Sequence, residues 1–248
     1  MRTEPAIPVR AQTWRIFDRI APTYDRVNRV LSVGRDVSWR KFVVRCLPDR
    51  EQLRVLDLAT GTADLALTLA GDARVAHVRG MDLSEGMLAV GTEKIHARGL
   101  ANRVELERGD VADLPLDDGS HDVVTIAFGI RNVENFQRGL TEIHRVLVPG
   151  GTALVLEFSL PPNPLVRALY LPYFRHVLPR IGGWISGDPE AYRYLNRSVE
   201  AFPYGGAFCE CLREAGFERV RAVPLTLGIA TLYVAEKSAS GLEPVPSA

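Results

Sequence analysis

The chain has few cysteines and no excess of charge of either sign. Its three cysteines, Cys46, Cys209 and Cys211, include one close pair and no companion cluster at metal-ligand spacing, so neither a disulfide framework nor a zinc site is expected. The five histidines are scattered without a ligand pair, and no metal is predicted. With 30 basic and 30 acidic side chains the formal net charge is zero, which gives the chain no overall attraction to nucleic acid or to an anionic bilayer.

Long apolar runs are also missing. No stretch approaches the roughly 18 uncharged apolar residues of a membrane-spanning helix, and the charged first residues lack the apolar core of a secretory signal. We therefore expect a reduced, cytoplasmic protein that is neither secreted nor membrane-spanning. A tail over 238–248, rich in Ser, Pro and Gly, is predicted to be disordered.

The central part of the chain alternates short apolar runs with amphipathic stretches. Such alternation is typical of a doubly wound, mostly parallel sheet covered by helices on both faces, and 248 residues suit one such domain. Two last runs, over 217–224 and 225–235, predict an antiparallel closing hairpin. The predicted fold is α/β, Rossmann-like and seven-stranded, with strands over 54–58, 75–81, 104–108, 123–128 and 152–158 before the hairpin, and helices over 64–70, 85–97, 136–148 and 206–215.

Two helical segments precede the sheet and form a predicted N-terminal cap over residues 1–50. The first contains Pro22, which predicts a kink or a break, and the second is predicted over 37–47. The apolar stripe of the first segment consists of Phe17, Ile20, Tyr24, Val27 and Leu31.

A helical insertion over 159–200 interrupts the sheet domain, which is predicted to span 51–237. Apolar and aromatic residues recur at helical spacing between Leu165 and Leu178, with Arg167, Arg175 and Arg180 beside them. This pattern leaves three structures open: a helix docked on the core, a lid over an apolar substrate, or an interfacial helix whose arginines meet phospholipid head groups.

The end of the first predicted strand carries a carboxylate, Asp57, followed by the small residues Ala59, Gly61 and Ala63, and Asp82 comes 25 residues after Asp57. A dinucleotide-binding loop instead has glycine at that strand end and its acidic residue about 20 residues later. Asp57 would repel a pyrophosphate, but it could receive the ammonium of a methionine tail, directly or through water, while Asp82 accepts both ribose hydroxyls. The pattern favours S-adenosylmethionine over a dinucleotide and over a plain tight turn.

Several segments resemble the class I S-adenosylmethionine-dependent methyltransferases. Within that class they are most similar to the ubiquinone/menaquinone biosynthesis C-methyltransferases, the UbiE/MenG family, from about Phe17 to Lys237. The loop at 57–64 and Pro149-Gly-Gly151 mark only the wider class. This chain has Ala59 and Ala63 where the loop of the wider class has glycine, as also occurs within the family, and Val148 where the family usually has lysine. The more specific segments are 17–32, Phe128-Gly-Ile-Arg-Asn132, Leu156-Glu-Phe-Ser159 and Tyr192-Arg-Tyr-Leu195.

The resemblance implies cofactor contacts at Thr62, Asp82, Asp110 and Val111. Asp110 follows the third predicted strand. A short acidic side chain there could accept from the adenine amino group while the next backbone amide donates to a ring nitrogen, although an ordinary loop aspartate fits the same position.

The implied reaction moves a methyl group from the sulfonium to a ring carbon of a reduced, prenylated quinone, an in-line displacement that needs alignment and an electron-rich ring. Arg131 and Asn132 are the expected catalytic pair, with Tyr24 or Asp25 nearby. Because arginine stays protonated, Arg131 is expected to stabilise a phenolate or to orient a water. The alternative is a structural Arg131 that pairs with a carboxylate such as Asp110 or Glu134.

The expected partners are therefore a prenylated quinol, a membrane surface contacted peripherally on its inner face, and a second copy in a homodimer. Menaquinone and ubiquinone precursors both remain open as acceptors. The rival functions are methylation of another lipophilic phenol, sterol or lipid amine, and non-enzymatic binding of S-adenosylmethionine.

Overall fold

The computed structural model describes residues 13–239. The first twelve residues, and residues 240–248 of the predicted tail, lie outside that range. Among the described residues no helix is both long and apolar enough to cross a bilayer. The strands are β1 (Leu53–Leu58), β2 (Val75–Asp82), β3 (Val104–Arg108), β4 (His121–Ala127), β5 (Leu147–Phe158), β6 (Arg219–Leu225) and β7 (Ala230–Glu236). The helices are α1 (Thr13–Leu31), α2 (Arg35–Arg45), α3 (Asp64–Ala70), α4 (Glu85–Ala97), α5 (Phe136–Val146), α6 (Pro164–Pro172), α7 (Leu178–Ser186), α8 (Pro189–Ala201) and α9 (Gly206–Glu214).

The strands form one seven-stranded sheet in the order β3-β2-β1-β4-β5-β7-β6. The first five strands are parallel, and β7 pairs antiparallel with both β5 and β6. The predicted doubly wound fold with an antiparallel closing hairpin is therefore confirmed. Successive side chains of β1 alternate between the two faces, so Leu56 and Leu58 join one core cluster while Leu53 and Val55 join the other.

The strand order reverses direction between β1 and β4. From β1 the chain proceeds through β2 to the edge strand β3 and then returns to β4 on the other side of β1. Ligands of open α/β sheets bind at such a switch point, beyond the carboxyl ends of the strands. The loops that follow β1, β2, β3 and β4 therefore meet at one place.

Helix α1 runs without a break across Pro22, so the predicted split of this segment is wrong. Pro22 is exposed, and the apolar residues of the helix instead pack into a third cluster that includes Ile20 and Val27 of α1 and Phe174 and Tyr192 of the insertion. Burial of this apolar face is sufficient to keep the helix continuous despite the backbone hydrogen bond that proline removes.

The strand predicted over 152–158 begins five residues earlier, because β5 starts at Leu147 and includes Pro149-Gly-Gly151. Leu147 already pairs with His121, and the regular register resumes at Thr152 opposite Val123. One residue of β4 and four residues of β5 lie between these two pairs, so β5 bulges here. Gly150, within the bulge, has a φ of 74°. The helix predicted over 136–148 accordingly ends two residues early.

The insertion is helical, as its apolar spacing predicts. Helices α6 and α7 are joined by a π-helical segment, Tyr173–Val177, and α8 packs against α7. One face of this run is buried against α1 through Phe174 and Leu178, whereas Leu165 and Leu169 on α6 are exposed. The run therefore has both a docked face and, within the described part of the chain, an exposed apolar face.

Candidate active site

The loop after β1 is held in a strained, compact form. Ala59, Gly61 and Ala63 all have positive φ, at 47°, 56° and 62°, a region that small residues tolerate best. The amide of Thr60 donates to the carbonyl oxygen of Met81 at 3.0 Å, which joins the loop to the end of β2. The small residues keep the backbone of this loop accessible to a ligand.

Asp82 joins that loop to the start of α4. Its Oδ2 accepts from the amide of Gly61 at 2.9 Å, and its Oδ1 accepts from the amide of Ser84 at 2.8 Å. Burial raises the pKa of this carboxyl, opposed by these backbone hydrogen bonds. Each oxygen keeps one lone pair for a further donor such as a ribose hydroxyl.

Asp57 lies beneath the loop rather than beside a cavity. Its side chain is 1% exposed and accepts from the hydroxyls of Thr60 at 2.6 Å and Thr125 at 2.5 Å. Burial raises its pKa to about 6, although both hydroxyl contacts oppose the rise. A direct contact between Asp57 and a ligand is therefore not favoured, and Asp57 acts on the loop through Thr60.

A cavity of about 250 Å³ opens at the ends of β1 to β4. It brings together five of the predicted cofactor residues, Ala59, Gly61, Asp82, Asp110 and Val111. Asp110 is exposed, and its Oδ1 accepts from the amide of Ala112 at 2.9 Å. Further lining residues were not predicted from the sequence, among them Trp14 and Phe17 of α1, Met87 of α4, and Leu83 and Gly109 of the loops.

Thr62 and Asp25, predicted at the cofactor and at the catalytic rim, instead contact each other. The Thr62 hydroxyl donates to Asp25 Oδ1 at 2.6 Å, and Lys94 Nζ lies 2.9 Å from Asp25 Oδ2. Lys94 also pairs with Asp64 at the start of α3. Asp25 and Thr62 are not among the lining residues of the two adjoining cavities, and their cluster joins α1 to the loop after β1.

A second set of contacts between α1 and the loops lies seven residues earlier on the helix, at Asp18. Asp18 Oδ1 accepts from the Ser84 hydroxyl at 2.5 Å and from the amide of Gly86 at 2.9 Å, at the first turn of α4. Because Asp18 and Asp25 are seven residues apart, they share one face of α1. Helix α1 is thereby tied to the loops after both β1 and β2.

A larger cavity of about 400 Å³ lies between the N-terminal helices and the insertion. Its wall is mainly apolar and aromatic, and it shares Phe17, Tyr24 and Phe128 with the smaller cavity. Burial raises the pKa of the Tyr24 hydroxyl. Other aromatic residues of this wall are Trp39, Phe158, Tyr170, Tyr173, Phe174, Tyr192 and Tyr194.

The loop after β4 separates the two cavities and has unusual backbone geometry. Phe128 has a φ of 59°, although it is not glycine, and its carbonyl oxygen accepts from Arg131 Nη1 at 2.6 Å and from Asn132 Nδ2 at 3.4 Å. Gly129 is required because a Cβ there would lie 2.4 Å from the Cβ of Ala59. Strained backbone of this kind is often found at functional sites.

Arg131 does pair with a carboxylate, as the structural alternative expects, but the partner is Glu157 and neither of the two examples, Asp110 and Glu134. Arg131 Nη1 lies 2.7 Å from Glu157 Oε1, and both side chains are buried. The two residues meet because β4 and β5 are neighbours in the sheet. Arg131 also lines the larger cavity.

Asn132 lines the smaller cavity, next to Arg131 in the chain. Its Oδ1 accepts from the Tyr194 hydroxyl at 3.1 Å. Tyr194 belongs to the segment Tyr192-Arg-Tyr-Leu195 and lines the larger cavity together with Tyr192. The predicted residues Tyr24, Arg131 and Asn132 therefore gather where the two cavities adjoin, whereas Asp25 does not.

Most of the chain matches one family model. The model of the ubiE/COQ5 methyltransferase family matches residues 9–237. The chain belongs to this family. It is 46% identical to the demethylmenaquinone methyltransferase of Thermus thermophilus, over 90% of this chain and 100% of that protein. It is 51% identical to the ubiquinone/menaquinone biosynthesis C-methyltransferase UbiE of Syntrophotalea carbinolica, over 91% of this chain and 94% of that protein. The resemblance stated from the sequence and the predicted class of enzyme, a methyltransferase, are confirmed.

Solved structures of lower identity share the fold of this family member. A SAM-dependent methyltransferase from Aquifex aeolicus matches with a TM-score of 0.59 and 20% identity, over 86% of this chain and 97% of that chain. The [4+2]-cyclase SpnF matches with a TM-score of 0.63 and 17% identity, over 95% of this chain and 98% of that chain. Because a cyclase is among them, the fold by itself does not define the reaction.

Proposed function

We propose that this protein transfers a methyl group to a ring carbon of a reduced, prenylated quinone: demethylmenaquinol, the 2-polyprenyl-6-methoxy-1,4-benzoquinol precursor of ubiquinone, or both. The observation that carries the proposal is the pair of adjoining cavities. The smaller has carboxylates at the strand ends, and the larger is apolar and aromatic. A polar cofactor and an apolar acceptor would meet where the two cavities share Phe17, Tyr24 and Phe128. The names of the relatives, which cite both quinones, support this choice of acceptor.

The methyl donor is S-adenosylmethionine, whose sulfonium supplies an electrophilic methyl group. The residues of the smaller cavity fit it, because Asp82 keeps lone pairs for two hydroxyls and the loop of Ala59 and Gly61 leaves its backbone accessible. We assign the ribose to Asp82 and the adenine to Asp110 and Val111. Asp57 and Thr62 support the loop from behind.

On the acceptor side, Arg131 and Asn132 would hold the ring oxygens. The guanidinium donates to a ring oxygen and favours its ionisation to the phenolate, which passes electron density to the ring carbon as that carbon attacks the methyl group, and the guanidinium stays protonated throughout. Tyr24, which borders both cavities, would fix the ring between them. The aromatic walls of the larger cavity would take the isoprenoid chain and exclude water from the reacting carbon.

We further propose that the protein meets a bilayer through the outer face of the insertion. Leu165, Leu169 and Trp184 are 76%, 81% and 87% exposed along the run from α6 to α7, while the inner face of the run lines the larger cavity. Arg180 lies on the same run and suits anionic head groups. A substrate with a long tail could then enter from the lipid. The predicted homodimer stays a prediction that sedimentation velocity would test.

The proposed function is tested by incubating the protein with methyl-labelled S-adenosylmethionine and a panel of acceptors in detergent. The panel holds the two reduced quinones, their oxidised forms, a sterol, a simple phenol and a lipid amine. Transfer to the reduced quinones alone supports the proposal. Transfer to another member of the panel, or cofactor binding without any transfer, overturns it.

A further inference from the structure

Arg131 and Glu157 form an ion pair that is almost completely shielded from water. Their exposed fractions are 4% and 1%, and Nη1 lies 2.7 Å from Oε1. A buried pair of this kind adds little net stability, because removing both charges from water costs about as much as their attraction returns. The stability of the fold alone therefore does not explain why this ion pair is present.

The two oxygens of Glu157 have different surroundings. Oε1 accepts from Arg131 Nη1 and from the amide of Phe158 at 2.8 Å. Oε2 is buried and has no hydrogen-bond partner among the described residues. Burial raises the pKa of this carboxyl, and the charge of Arg131 opposes the rise. An incompletely satisfied carboxylate is costly, and such exceptions commonly coincide with a functional role.

The guanidinium of Arg131 is held on several sides. Besides Glu157, it contacts the Phe128 carbonyl at 2.6 Å and the Ser198 hydroxyl at 3.3 Å, and its central carbon lies 5.5 Å from the centroid of the Phe158 ring. Arg131 nevertheless borders the larger cavity, whereas Glu157 borders neither. Glu157 can therefore influence an acceptor only through Arg131.

We propose that Glu157 is a positioning residue of the acceptor site: it fixes Arg131 in the cavity wall and neutralises its charge. This inference rests on the proposed function. A guanidinium with a buried counter-charge still donates hydrogen bonds to a developing phenolate. It attracts that phenolate less strongly than a lone cation, so the ring oxygen stays electron-rich and the ring carbon remains a good nucleophile.

The test is the pH dependence of kcat for methyl transfer in Glu157→Gln and Glu157→Asp. Gln can still accept from Arg131 but carries no charge, so the acid limb should move toward lower pH by about one unit while the plateau falls at least tenfold. Asp keeps the charge but has a shorter side chain. The pH profile of kcat in Glu157→Asp should therefore keep the wild-type midpoint and have a lower plateau. The remote, exposed Glu210→Gln is the matched control. An unmoved midpoint in a folded E157Q protein would overturn the proposal.

A second readout does not depend on methyl transfer. Bound 4-nitrophenol reports its own ionisation by absorbance, and its apparent pKa should be about one unit lower in E157Q than in the wild type. Equal values, or no saturable binding, would overturn the proposal. If E157Q does not fold, E157D decides: a plateau equal to the wild type contradicts a positioning role, and a tenfold loss at an unchanged midpoint supports it. A nitrophenol shift without transfer to any quinol would leave this role standing and remove the proposed function instead.

Discussion

Asp25 of α1 accepts a hydrogen bond from the hydroxyl of Thr62, 2.6 Å away in the loop after β1. The contact joins an N-terminal helix to the loop that would carry the cofactor, and Lys94 of α4 completes it with an ion pair to Asp25 at 2.9 Å. Asp18 makes the corresponding contact with Ser84 after β2. Helix α1 is thus part of the wall of the smaller cavity, with its position set by two carboxylates.

Replacing Asp25 by Asn should weaken the cofactor site without stopping the chemistry. The pair with Lys94 is partly exposed, so we expect a loss of about 0.5–1 kcal/mol in the free energy of unfolding. The KM for S-adenosylmethionine should rise severalfold, with kcat within about threefold of the wild type at saturation. Steady-state kinetics and urea unfolding measure both effects, and the exposed neighbour Arg26→Gln is the control. A hundredfold loss of kcat would contradict this expectation and support the predicted catalytic role of Asp25.

The contact between Gly129 and Ala59 should appear as coupling between two substitutions. Gly129→Ala places a Cβ 2.4 Å from that of Ala59, and overpacking of this kind costs about 1–3 kcal/mol. Ala59→Gly removes the obstructing methyl group at a position of positive φ, which glycine accepts. Urea unfolding of the two single variants and the double variant should give a coupling of at least about 1 kcal/mol. Strict additivity would show that the two loops do not approach as described.

Asp57 should make stability fall as the pH rises from about 4 to 6. The pKa of Asp57 is about 6 in the folded protein, against about 3.9 for an aspartate in an unfolded chain, so in this range the folded state holds the proton that the unfolded state has lost. Below that range the penalty is absent, and above it the penalty is complete at about 3 kcal/mol. Relative to Asp57→Asn, wild-type stability should decline across this range in urea titrations at pH 4.5 and pH 7. If the free energy of unfolding changed with pH by the same amount in both proteins, a pKa of about 6 for Asp57 would be refuted.

The exposed face of the insertion should control binding to lipid. Leu169→Ser with Trp184→Ser removes two large exposed side chains, each expected to contribute about 1.5 kcal/mol or more when inserted. Sedimentation with vesicles that contain anionic phospholipid should show at least a tenfold loss of bound protein. Gln137→Ser, exposed on α5, should bind like the wild type. Equal binding by all three proteins would place the lipid contact elsewhere.

Much of this arrangement was accessible from the sequence. The position of Asp82 after the second strand predicted its place beside the loop of Gly61, because the carboxyl ends of neighbouring parallel strands share one edge. Local periodicity also predicted the helices of the insertion. Pro22 misled the prediction of α1, since burial of the apolar face outweighs the local preference of one residue.

The missed parts depend on contacts between distant residues. Glu157 lies 26 residues from Arg131, and only the adjacency of β4 and β5 brings them together. A charged residue in the otherwise apolar run of β5 was the available signal. Asp25 was predicted at the catalytic rim and Thr62 at the cofactor, because nothing in their local sequence shows that they contact each other. Asp57 was assigned likewise, although alternation along β1 places it on the same buried face as Val55.

The position of the new methyl group tests the central claim most directly. The protein would be incubated with carbon-13 methyl-labelled S-adenosylmethionine and with demethylmenaquinol, prepared by chemical reduction of demethylmenaquinone. The product would be examined by carbon NMR. The account predicts a label bonded to a ring carbon, formed from the reduced quinone and not from the oxidised form. A label bonded to oxygen, or none in any quinone although the cofactor binds, would contradict it.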